Sequence, residues 1–306
     1  MLAINYSKTS SYNDKLNLTG TASFQDRIGI SSVHTETADA QGLLQSSNDI
    51  ITRQTDHSDN QFMNMNFGRN DFDRPLTIMN LSANMQSSHS SSERNVISVF
   101  KSITVNNKDT SYNRRYLNNN QTFGARANLV YGGFRRMLFG RYNLGGVDLR
   151  LEQAFNYNQT NSSSRVSDFD SSAKKYTANN NLTNENNRKT IIYVPSLSLS
   201  KSFSRSRSSS FRSINLQAKF MEDMRSEKNV STITWRNLDR VFRFFRYEAG
   251  LNFNTFHPNK INYNASLNYN KNFNYPSIDA LYTIVDDINA YNITVGNPSL
   301  KNTTSV

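Results

Sequence analysis

The chain has 306 residues and a net charge of +11, from 35 Lys and Arg against 24 Asp and Glu, yet only 36% of it is hydrophobic. The absence of cysteine excludes a disulfide framework, a thiolate zinc site and a cysteine nucleophile. With 44 Asn, 40 Ser and a mean hydropathy of -0.67, a conventional packed core of this size is not expected, while 19 Phe and 15 Tyr argue against a disordered chain.

The chain begins Met1-Leu-Ala-Ile-Asn-Tyr-Ser-Lys8, with no basic start, apolar stretch or small-residue cleavage site of a signal peptide. Residues 2 to 7 already alternate as a strand does, which leads us to expect an internal piece of a longer protein. Alternation of apolar and polar residues marks a strand with one face in an apolar medium and the other in a polar one. It recurs along the chain. Leu16, Leu18, Ala22 and Phe24 show it first, and Phe123, Ala125, Ala127, Leu129 and Tyr131 repeat it. Val147, Leu149 and Leu151 follow, then Leu197, Leu199 and Phe203, and Ile214, Leu216, Ala218 and Phe220. Tyr247, Ala249, Leu251 and Phe253 precede the clearest case, where Ile261, Tyr263, Ala265, Leu267 and Tyr269 alternate with Asn262, Asn264, Ser266 and Asn268.

Taken together, these runs predict strands over residues 1–8, 15–25, 60–69, 75–87, 121–131, 143–157, 189–203, 211–222, 243–256 and 260–272. Their lengths suit the roughly 9 to 11 residues with which a tilted strand crosses a bilayer. The connections alternate between short and long, about 3 to 11 residues at one end and about 20 to 34 at the other, against a usual hairpin loop of about 2 to 5. Short turns on one side and long loops on the other are the arrangement of an outer-membrane barrel. The expected fold is therefore all-β: an antiparallel up-and-down transmembrane β-barrel, partial, in which residues 1–306 form a single domain with short periplasmic turns and long extracellular loops. Its outer face contacts outer-membrane lipid. No run approaches the roughly 18 consecutive apolar residues of a transmembrane helix. Tyr131, Tyr142, Tyr157, Phe203, Tyr247 and Tyr263 lie where interfacial aromatic girdles belong. The alternative is a soluble antiparallel β-protein, which uses the same alternation.

Near the C-terminus, Asn274-Tyr-Pro-Ser-Ile-Asp-Ala-Leu281 precedes Ala290-Tyr-Asn-Ile-Thr-Val-Gly-Asn-Pro-Ser-Leu-Lys301. These words resemble the barrel of TonB-dependent outer-membrane receptors. Pro276, Ser277, Leu281, Tyr291, Gly296, Asn297, Pro298, Leu300 and Lys301 match the family pattern; Tyr275, Ile278 and Asn302 depart from it. The resemblance implies a larger parent barrel of about 22 strands, with a plug domain in the same parent chain. It also implies import of a scarce ligand (a metal chelate, vitamin or glycan) energised by TonB with ExbB and ExbD. A passive porin-like or adhesion barrel is the alternative, and a soluble glycan-binding β-protein a further one.

The basic residues are scattered, with Arg135 and Arg136, Arg205 and Arg207, and Arg243 and Arg246 at the ends of apolar stretches. This reads as a solvated basic surface, and no nucleic-acid partner is expected. His34, His57, His89 and His257 lack the spacing of a zinc motif, and three of them fall in the expected long loops. The pairs Glu222/Asp223 and Asp286/Asp287 read as solvated strand ends. No nucleophile elbow or phosphate-binding loop occurs, so no catalysis and no cofactor are expected. Candidate functional positions are the lumen-facing Arg126, Asp148, Arg150, Glu152 and Lys219, and the loops 88–120 and 273–301, since binding residues favour loops on a rigid scaffold.

Overall fold

A computed structural model describes residues 2–9, 14–70, 78–103, 110–140, 144, 146–180, 182–207, 210–256, 261–276, 281, 284–285, 293–294, 297, 300 and 303–305. One antiparallel up-and-down sheet dominates it. In chain order the strands are β1 Leu2–Thr9, β2 Asp14–Ala38, β3 Leu44–Asn70, β4 Ile78–Ser102 and β5 Thr110–Gly132, then, after the short helix α1 Phe134–Phe139, β6 Val147–Asp170, β7 Lys175–Ala178, β8 Asn184–Arg207, β9 Ser210–Ser231, β10 Leu238–Phe256 and β11 Asn264–Asn270. Each pairs with its sequence neighbour, except that β8 passes the short β7 to pair with β6. The sheet does not close: β1 lies at one edge and β11 at the other. Short pairs outside it join β12 Asn272–Asn274 to β15 Thr303–Ser305, and β13 Ile284–Val285 to β14 Ile293–Thr294.

The all-β antiparallel fold expected from alternation is therefore present as an open, partial barrel. The segments expected as long loops are not loops. Residues 26–59, 88–120, 158–188 and 223–242 are for the most part continuations of β2 to β10. The strands run to 27 residues in β3, about 90 Å at roughly 3.3 Å per residue. The connections at that end that lie within the described residues are tight. Between β2 and β3, Asp39 Oδ1 accepts hydrogen bonds from the backbone N–H groups of Gln41 and Leu43, and Gly42 takes φ +82°, which a side chain would strain. Between β6 and β7, Asp170 Oδ1 receives the Ser172 and Ala173 amides. Between β9 and β10, a single turn at Thr234–Arg236 is tied down by Asn237, whose Oδ1 accepts the Ser231 amide. His34, His57 and His89 accordingly sit in strands rather than in loops.

Period 2 explains both faces. Cross-strand partners in Leu18, Met65, Ala83, Ala127, Phe155 and Tyr193 form one continuous row, and Leu149, Leu199, Ala218, Ala249 and Tyr269 form another. One residue along each strand, the row Thr19, Asn64, Asn84, Arg126 and Asn156 faces the other way. A one-residue shift would exchange the two faces entirely, so the register is fixed by this partition.

Candidate functional site

The apolar face is a band rather than a whole face. It occupies the half of each long strand nearer α1, from Phe123 to Tyr131 on β5, for example. Its side chains stand in the open: Leu2, Ile4, Phe24, Met63, Met85 and Leu267 expose between 51% and 70% of their surface. Farther along the same face charged and amide side chains enter among exposed apolar ones such as Ile28, Ile30 and Val241. The row Asp26, His57, Ser91, Asn119, Ser163 and Glu185 carries no apolar residue, and ion pairs join Arg115 to Glu93 at 2.9 Å, Arg165 to Glu185 at 2.8 Å and Arg243 to Glu222.

In this charged half, His34 Nδ1 lies 2.5 Å from Asp49 and Nε2 3.1 Å from Glu36, while His57 Nδ1 lies 2.5 Å from Asp26. Hydrogen bonding to Asp49, and then to Glu36, raises the His34 pKa above its ordinary value. The bond to Asp26 does the same for His57.

Four of the five expected lumen residues come together on the polar face. Lys219 donates to Glu152 at 2.6 Å across β8, and the hydroxyls of Ser196 and Ser198 also point to that carboxylate. Beside them Arg150 donates to Asp148 at 2.6 Å. Arg126 stands apart on β5, in register with Asn84 and Asn156. Their cross-strand neighbours on this face are mixed: Ser196, Ser198 and Ser200 on β8, Val130 on β5, and Glu248 on β10 opposite Lys219.

Two clusters that sequence reading did not find lie farther along the polar face. In the first, Val96, Tyr116 and Val166 are buried against Ile50, Tyr112 and Leu182. The Arg94 guanidinium covers the Tyr116 ring at 4.4 Å, and Arg114 Nε donates to Asp168 at 2.6 Å. Burial works to raise the Asp168 pKa, and the hydrogen bonds from Arg114 and Asn179 outweigh it, leaving the carboxyl below its ordinary value. In the second, Glu227 is fully buried between Arg225 and Arg240, with 2.7 Å and 2.6 Å hydrogen bonds from their Nε atoms. Asp223, which the sequence suggested was solvated, is buried and paired to Arg246 at 2.8 Å.

The strand phase changes above this second cluster. In β11, Ala265, Leu267 and Tyr269 oppose Phe253, Leu251 and Ala249 on the apolar face. Lys271 interrupts the strand, and the odd-numbered residues then turn to the polar face. Phe273 stacks on Phe244 at 4.5 Å, Tyr275 lies 5.3 Å from Phe242, and the Arg225 guanidinium sits 4.8 Å over Tyr275. One extra residue suffices for this, as in a bulge. Burial, then Asp223, pushes the Tyr275 phenol above its ordinary pKa. The Pro276 carbonyl accepts a hydrogen bond from Arg240 at 3.1 Å. The only trace of it in the sequence is the interleaving of basic and aromatic residues in Arg240-Val-Phe-Arg-Phe-Phe-Arg246, which reads as a basic end of an apolar stretch until the strands are paired.

Of the family-like positions, Pro276 therefore closes the second cluster. Leu281 is buried, and the Leu300 amide donates to the Asn297 carbonyl at 3.2 Å. Ser277, Tyr291, Gly296, Pro298 and Lys301 lie outside the described residues. Among the described residues no three His, Asp or Glu are placed to hold a metal ion, and no helix is long and apolar enough to cross a membrane. No protein-family model matches the chain, and no curated protein matches it.

Proposed function

We propose that the chain is part of an outer-membrane β-barrel of the TonB-dependent receptor type, importing a scarce ligand. The observation that carries the membrane part is the band. Exposed Leu, Met, Phe and Tyr on one face are joined farther along the same strands by ion pairs and amides, while the opposite face at the level of the band carries mainly amides, hydroxyls and charged groups. Hydrocarbon demands this partition. It admits apolar side chains only, and a sheet brings its own backbone hydrogen bonds. An exposed apolar surface of this extent is a liability in water and a requirement in lipid.

The receptor part rests on the resemblance of residues 274–301 and on strands that continue well past the band. These extensions hold the guanidinium–aromatic clusters above the membrane surface, where an incoming ligand is first met. In this reading the Glu152–Lys219 and Asp148–Arg150 pairs line the lumen against a plug domain, and TonB, ExbB and ExbD supply energy through that plug.

Fractionating the native cells tests the location. The chain is expected in outer membranes and to resist extraction by alkaline carbonate; recovery in the soluble fraction overturns the proposal. Comparing strains tests the energised import. Loss of this gene and loss of TonB are expected to give the same uptake defect, whereas a defect independent of TonB would mean a passive barrel.

A further inference from the structure

We propose that the apolar face of β8 to β11 holds an anionic phospholipid, its phosphate gripped by Arg205 and Arg212 and an acyl chain lying in the apolar depression beside them. The inference deepens the membrane reading above and rests on it. Register brings the two guanidiniums together. Arg205 on β8 stands directly opposite Arg212 on β9, and the row continues through Thr255 on β10 to Tyr263, whose carbonyl accepts the Thr255 amide at 2.8 Å. Both arginines are exposed, and neither forms an ion pair among the described residues. Like charges directly opposite each other on an antiparallel pair repel. From Asn186 to Met221, and again from Ala249 to Asn274, the sequence supplies no carboxylate to relieve them. A phosphate does so, because each guanidinium offers paired planar donors to its oxygens.

The surface next to the pair selects a lipid over a free phosphate. The adjoining rows on the same face are Phe203, Ile214, Phe253 and Ala265, then Lys201, Leu216, Leu251 and Leu267. A depression of about 360 Å³ opens there, lined by Leu199, Leu216, Leu251, Leu267 and Tyr269 together with Lys201. Lys201 Nζ lies 4.8 Å from the centre of the Phe203 ring. Its ammonium therefore leans along the strand towards the arginines, as a lysine does when its stem stays in the acyl layer and its charge reaches the headgroups. Apolar depression and cationic pair are thus contiguous, and only a lipid joins an acyl chain to a phosphate. Three cations without a carboxylate favour a headgroup with net negative charge. The short turn from β8 to β9 marks this end as periplasmic in the membrane reading, which selects phospholipid over lipid A.

The test uses the parent protein in its native cells. It is tagged, extracted from isolated outer membranes in a non-ionic detergent, and its co-purifying lipids are counted against protein by mass spectrometry. The native protein is expected to retain phosphatidylglycerol or cardiolipin. Arg205→Gln and Arg212→Gln should each lower that retention about tenfold. Neither change removes an ion pair within the described residues, so assembly is not at stake. Lys189→Gln, on the same face where Lys189 lies over Tyr157, should leave retention unchanged. A native protein that retains no phospholipid, or retention unaltered in both arginine variants, overturns the site and leaves the membrane reading standing. Equal loss in Lys189→Gln also overturns it, since the charge would then act without position. Retention of lipid A in place of phospholipid overturns the choice of occupant. Absence of the protein from the outer membrane overturns both readings.

Discussion

Two buried or half-buried glutamates illustrate how differently an ion pair behaves with its surroundings. Glu227 is fully buried and holds two guanidiniums. Glu227→Gln leaves both without a counter-charge, at a cost of about 3 to 5 kcal/mol. Glu152 faces Lys219 with roughly a quarter of its side chain exposed, so Glu152→Gln is expected to cost only about 1 kcal/mol. Denaturant midpoints of the two variants check the ranking, and equal costs would show that Glu227 is more hydrated than its surroundings allow. The histidines give a pH dependence of opposite sign to that of a paired carboxylate. The folded pKa values of His34 and His57 are raised. Their contribution is therefore complete below the unfolded value of about 6.5 and is lost as pH rises through the folded values. Amide exchange at the β2–β3 turn, corrected for intrinsic rates, is expected to quicken over that range. Exchange that slows on alkalinisation would contradict the pairing with Asp49 and Asp26.

Lys271 sets the phase of β12. Deleting it alone is expected to fuse β11 and β12 into one strand that still presents Phe273 and Tyr275 to Phe244 and Phe242. Deleting Lys271 and Asn272 together restores the phase that sends both rings to the apolar face. Amide protection in the Leu238–Arg246 part of β10 should survive the first change and fall in the second; the reverse order would show that the phase is set elsewhere. The same logic explains what was legible in the sequence. Strands announced themselves where one face is apolar and the other polar, as in Phe123–Tyr131 and Ala265–Tyr269, although β11 begins only at Asn264 and not at the residue 260 expected. Their continuations did not, because Asp26–Ala38 or Ser88–Ser102 carry polar residues on both faces and so have no hydropathy period. The clue there was turn chemistry, Asp39 with Gly42 and Asp170 with Ser172. The charged clusters were equally hidden. Asp223, Arg225 and Glu227 look like a solvated run until the strand continues and folds Phe273 and Tyr275 over them. The pairing of Glu152 with Lys219 was not legible either, since it spans β8 and depends on register.

For the whole molecule the open sheet imposes a condition. In lipid, the outer edges of β1 and β11 leave backbone groups that water cannot reach. The membrane reading therefore requires further strands against both edges, and the chain alone is expected to aggregate without them. The strands that project past the band do not share this demand, because their edges stand in water.

A barrel wall must meet hydrocarbon with one face of its sheet and water with the other. The absence of native cysteine allows a direct measurement. Single cysteines are placed at Leu81, Leu199 and Leu216 on one face and at Asn84, Ser198 and Gln217 on the other, and exposed to a membrane-impermeant maleimide in native outer membranes. Labelling is expected at the second set, and at the first only after detergent denaturation. Equal labelling of both sets before denaturation would contradict the membrane reading and leave a soluble sheet.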